Sequence, residues 1–122
     1  MGSDRRFENL YIWQEARVIV NSIYKMMRQC KDYGFRDQIQ RASVSIMNNI
    51  AEGSEAGSDA KFLNFLNIAK GSCAEVRSML YLCEDLGFCS EEKRIELQTS
   101  IIKVSSGISK MTNTLSTQRP FN

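Results

Sequence analysis

From Phe62 to Cys83 the residues Phe62, Leu66, Ala69, Cys73, Val76, Leu80 and Cys83 alternate spacings of four and three. A 3.5-residue apolar period sustained over that length belongs to a helix that keeps one seam against other helices, whereas a half-buried strand needs a period of two. Nothing else in the chain restricts the fold as strongly, and other segments repeat the pattern. Trp13, Ala16, Val20, Ile23, Met27 and Cys30, with a second line through Ile12, Ile19, Met26 and Tyr33, predict a first helix over residues 9–31. Gly34 is its expected left-handed stop. Ile39, Ala42, Ile46, Asn49 and Gly53 predict a second helix over 35–55, which Gly53 and Gly57 should end.

Ser58 and Asp59 supply a turn and an N-cap for the third helix, expected over 59–86 with Gly87 as its stop. Ser90, followed by Glu91 and Glu92, opens a fourth over 91–116 with the seam Leu97, Ile101, Val104, Ile108, Met111 and Leu115. Long amphipathic segments joined by short connections favour an all-α, antiparallel up-and-down four-helix bundle, and 122 residues suit one such domain. The third helix carries a second line, Phe65, Ile68, Ser72, Glu75, Met79, Leu82 and Leu86, so its apolar surface wraps further than one seam requires. That surplus predicts a homo-oligomer.

The stretch SVSIMNNIAEGSEAG, residues 43–57, places two asparagines, a glutamate and two glycines where an apolar stripe should continue. On the second helix Gln38, Arg41, Ser45, Asn48 and Glu52 form a polar stripe about one residue out of phase with the apolar one. Arg41 and Glu52 lie about 16 Å apart along the axis, so their partners must come from neighbouring helices. Reflection about a turn near residue 56 sets Arg41 level with Glu75, predicting an ion pair. Reflection about a turn near residue 32 sets Glu52 beside Trp13 and Gln14, both hydrogen-bond donors. With Ser45 and Asn49 these residues compose an expected structural polar network that fixes helix register. Gly71 and Gly107, each costing about 1 kcal/mol in mid-helix, reflect to one level and are expected either to let two backbones approach there or to admit the Arg41 side chain.

The same charged residues read as an active site meet an obstacle, because the chain has no histidine. Di-iron bundles require E-x-x-H pairs and the common acid–base and nucleophilic constellations use histidine, so no catalytic, metal or cofactor-binding residue is assigned and no enzyme activity is expected. Cys30, Cys73, Cys83 and Cys89 contain no C-x-x-C pair and are expected as buried reduced thiols. No run approaches the ~20 apolar residues of a membrane span, and no basic segment followed by an apolar one opens the chain, so a cytoplasmic location is expected.

Trp13, Gln14 and Ala16, then Gln38-Ile39, Arg41-Ala42, Ser45-Ile46 and NIAEG (Asn49 to Gly53), then Ile68-Ala69 and Gly71-Ser72 with Glu75, resemble in order the four-helix bundle proteins encoded by intervening sequences of bacterial 23S ribosomal RNA genes. That family is similar to the accessory variability determinant proteins of diversity-generating retroelements. The resemblance implies an up-and-down bundle assembling as a ring-like homopentamer, and in those relatives the oligomer binds nucleic acid and a reverse transcriptase through a basic surface. Met47 stands where family members often carry proline, which removes a cause for a kink in the second helix.

A net charge of +2 announces no nucleic-acid binder, so any basic surface must be local. Arg17, Lys25 and Arg28 share a face of the first helix, and Lys31 and Arg36 extend positive charge around its C-terminal turn. These five residues are the candidates for electrostatic contact with RNA or DNA phosphates. Lys93, Lys103 and Lys110 form a weaker stripe interrupted by Glu96. An interaction bundle that binds protein and no nucleic acid is the alternative expectation.

Overall fold

The structure is a computed structural model that describes residues 6–117. A short 3-10 turn, Phe7–Asn9, leads into four helices: α1 (Tyr11–Met26), α2 (Tyr33–Ser54), α3 (Asp59–Asp85) and α4 (Glu91–Thr117). No strand occurs among the described residues. Each helix packs on its neighbours in the chain and α1 closes against α4, while the backbones of the diagonal pairs stay apart. That is the contact pattern of an up-and-down four-helix bundle.

The helix ends follow from local hydrogen bonding. Asp32 accepts from the Phe35 backbone N–H at 3.1 Å, Ser58 from Lys61 at 3.2 Å and Ser90 from Lys93 at 3.1 Å, each satisfying one orphan donor of a first turn. At the end of α3, Phe88 N–H bonds to Cys83 O at 2.8 Å and Gly87 N–H to Glu84 O at 3.0 Å. With Gly87 at φ 81°, this is a Schellman stop.

The third and fourth helices match their expected spans within a residue, but the first does not. Helix α1 ends at Met26 rather than residue 31, and residues 27–32 form the connection. Met27 and Cys30 are nonetheless buried, so the apolar spacing continues through a turn that is no longer α-helical. Gly34 is not a left-handed stop: its φ is not positive, and it is the second residue of α2, because Asp32 caps that helix from upstream.

The core is one cluster. All seven residues of the α3 seam are buried, and Ile12, Ile19, Ile23, Ile39, Ile46, Ile50, Leu97, Ile101, Val104 and Ile108 fill the space between the helices. Two glycines permit its density. A Cβ on Gly53 of α2 would lie 2.7 Å from Phe65 Cβ, and one on Gly107 of α4 would lie 2.5 Å from Ile12 Cγ2 of α1. Gly71 behaves otherwise, since a Cβ there meets no atom within 4 Å. The expected approach of Gly71 and Gly107 is therefore absent; equal distance from a turn sets the level of two residues, not the face they occupy. Among the described residues no helix is long and apolar enough to cross a membrane.

Candidate nucleic-acid interface

Two polar surfaces come out of this packing. The first is a depression of about 360 Å³ between α2 and α3, bordered by Gln38, Arg41, Ser45, Ser72 and Glu75. At its floor the Ser45 and Ser72 hydroxyls share a hydrogen bond of 2.8 Å, and the Asn49 amide donates to Ser45 Oγ at 3.0 Å and Ser45 O at 2.8 Å. Ser45 and Asn49 of the expected network are thus joined, with Ser72 as the partner across helices.

The rest of that network does not form in the chain. Arg41 and Glu75 border the same depression, but both are exposed and no ion pair links them among the described residues. Glu52 is exposed and receives nothing from Trp13 or Gln14. The Gln14 amide donates instead to Glu8 O at 2.7 Å, and the Trp13 ring packs against Phe7 with centroids 4.9 Å apart. The 3-10 turn before α1 occupies the place assigned to Glu52.

The second surface is the end of the bundle where the α1–α2 and α3–α4 connections meet, marked by Phe35 and Phe88 with ring centroids 5.7 Å apart. Arg28, Lys31 and Arg36 converge there with Tyr33 around a depression of about 360 Å³. Lys25 borders a neighbouring depression of about 450 Å³ together with Lys93. Arg17 stands apart, about 12 Å along α1 from Lys25, with its guanidinium 5.8 Å from the Trp13 ring centroid. Four of the five expected cations therefore gather at one end, and the fifth does not.

These cations differ in what neutralises them. Arg94 of α4 bonds to Glu84 through Nε, donates to Gln98 Oε1 at 2.8 Å and lies 3.8 Å from Glu91. The hydrogen bond to Glu84 raises its guanidinium pKa above the usual value. Gln98 in turn donates to Arg77 O at 3.0 Å, tying α4 to α3. Lys93 pairs with Glu96 at 3.4 Å. On the α1–α2 side, Asp32 is engaged in capping and Asp37 lies 3.6 Å from Arg36 Nε, leaving Arg28 and Lys31 with no carboxylate partner among the described residues. The cations of this end without a carboxylate partner among the described residues, Lys25, Arg28 and Lys31, lie at the end of α1 and in the α1–α2 connection.

Sequence reasoning placed Tyr33 on an apolar line of the first helix; the structure leaves it 58% exposed between Lys31 and Arg36. An aromatic flanked by cations within a turn was the available signal. The cysteines carry no such chemistry. Cys73 and Cys83 are buried free thiols whose pKa values desolvation pushes up to about 12, and no group of three or more potential ligands among the described residues is arranged to hold a metal.

A family model described as 23S rRNA-intervening sequence protein matches residues 8–110. Among solved structures the chain is similar to a crystal structure from Bacteroides thetaiotaomicron VPI-5482, described as a protein with unknown function from the S23 ribosomal protein family. The two share 24% identity and a TM-score of 0.76, over 83% of this chain and 97% of that one, which establishes a common fold. No curated protein matches.

Proposed function

This chain belongs to the 23S rRNA-intervening sequence protein family, and from that premise we propose that it is a non-enzymatic, self-assembling adaptor of the cytoplasm that binds nucleic-acid phosphates at the cationic end of the bundle. The observation that carries the proposal is the convergence of Arg28, Lys31 and Arg36 on one depression, with Arg28 and Lys31 lacking a carboxylate partner among the described residues. Lys25 extends the same surface. Such a site binds by displacing condensed counterions, so affinity falls steeply with salt.

Fluorescence anisotropy with labelled RNA over a salt series tests this. Neutralising about three phosphates predicts a slope of about −2 to −3 in log K against log salt. Arg28→Glu with Lys31→Glu should abolish most of the binding; a flat salt response, or binding that survives the double reversal, refutes the proposal.

Self-assembly draws on a different observation. Ile68, Tyr81 and Leu82 of α3, Leu86 just after it, and Ile95 and Ile102 of α4 are about half exposed, large apolar side chains on two adjacent helices. We propose that they are covered in a homo-oligomer, the homopentamer implied by the family resemblance. Light scattering decides: a strict monomer refutes assembly, whereas a pentamer that retains no nucleic acid favours a purely protein-binding role.

A further inference from the structure

We infer that the depression at the α1–α2 connection selects single-stranded nucleic acid, stacking an unpaired base on Tyr33 while Arg28 and Lys31 hold the adjoining phosphates. The inference rests on the nucleic-acid proposal above and names the form of the strand. Its first support is Tyr33 itself, a large aromatic that the fold leaves 58% exposed in the middle of the cations. The Arg36 guanidinium lies 4.7 Å from the ring centroid and so backs one face of Tyr33, while the residue as a whole stays more than half exposed. Arg36 is itself unfinished: its Nε is enclosed with no hydrogen-bond acceptor, the nearest carboxylate oxygen at 3.6 Å being too far to serve.

An aromatic platform beside unpaired cations suits a chain whose bases are free to leave their stack. Duplex bases are paired and stacked inside the helix and offer Tyr33 no face, so a double strand meets only the charges. A polyglutamate chain also meets only the charges, since its side chains offer no flat face to the ring.

The test is anisotropy with a labelled single strand, as RNA and as DNA, against its duplex, an abasic strand of equal length, and polyglutamate as competitor. Tyr33 is exposed, so Tyr33→Ala should fold, and circular dichroism checks that it does. Tyr33→Ala should weaken the base-bearing strand by roughly 5- to 150-fold, the worth of one stacked base, leave the abasic strand unchanged, and be rescued by Tyr33→Phe. Equal losses on base-bearing and abasic strands would show that Tyr33 only positions Arg36, and overturn the inference. Duplex bound as tightly as single strand, with Tyr33→Ala neutral, overturns stacking while leaving electrostatic binding intact. Polyglutamate displacing the strand at matched charge overturns it in favour of an acidic protein partner. Failure to bind any strand at low salt removes the nucleic-acid proposal itself.

Discussion

Gly53→Ala and Gly71→Ala are the same chemical change at two helical sites, and the structure gives them opposite signs. At Gly53, in the last turn of α2, the new Cβ would sit 2.7 Å from Phe65 Cβ and 2.9 Å from Phe62 Cδ1. Carbon atoms rest about 3.5 to 4 Å apart, so roughly 1 Å must be recovered. Phe65 Cβ is fixed to the α3 backbone and Phe62 is buried, so the recovery comes from separating α2 and α3. Overpacking of this kind costs about 1–3 kcal/mol, against about 1 kcal/mol regained because alanine is the better helix former. The expected net is a loss of up to about 2 kcal/mol. At Gly71, where nothing lies within 4 Å, only the gain of about 1 kcal/mol remains. Urea unfolding resolves the pair: with a slope of about 1–3 kcal/mol per molar, the midpoints should separate by on the order of 1 M, with Gly71→Ala above the parent and Gly53→Ala below. Gly53→Ala as stable as the parent refutes the close approach, and a destabilised Gly71→Ala refutes the open face.

Ser45→Ala and Ser72→Ala should each cost about 1 kcal/mol, and a double-mutant cycle by denaturant unfolding should recover coupling between them because they share one hydrogen bond. Arg94→Gln should lower the melting temperature more than Lys93→Gln, since Arg94 binds Glu84 and Gln98 whereas the Lys93 side chain pairs with Glu96 at 3.4 Å on an exposed face. In the native protein Cys89, only partly buried, should react with a thiol reagent before Cys73 and Cys83, which should react only on unfolding. Stability should fall above about pH 9: the folded chain keeps Cys73 and Cys83 protonated up to about 12 while the unfolded chain releases those protons from 9.0 upward. The unfolded state then binds fewer protons, so the slope is negative, on the order of 1 kcal/mol per pH unit per thiol. Cys73→Val should flatten that slope in urea midpoints compared across this range.

The α3 seam was fully legible because burial and periodicity coincide over its whole length: each of its seven residues is buried. The end of α1 was not, because Met27 and Cys30 keep helical spacing while the backbone turns; burial reports which way a side chain faces, not whether its chain is hydrogen-bonded as a helix. For Arg41 and Glu75, counting from the turn found the right depression and missed the pairing, since two flexible charged side chains on a wet surface gain little by meeting. Their neighbour Ser72, largely buried at the floor of the depression, takes the interhelical bond instead. The cationic end was visible as a list of residues, but not which of them were free. That depends on where each carboxylate comes to rest, such as Asp37 at 3.6 Å from Arg36 Nε and Glu96 at 3.4 Å from Lys93.

Of the four helix contacts that close the bundle, α2 against α3 is the most extensive, and only residues 55–58 separate those helices. Little chain entropy is lost in bringing them together, so this hairpin is the natural first unit of folding. The same unit should open last, its amides the slowest to exchange with deuterium, while α1, whose start rests on a 3-10 turn, exchanges earlier. Arg41, Ser45, Ser72 and Glu75 all lie on that hairpin, so their depression should take shape before the rest of the bundle and persist when the other helices fray.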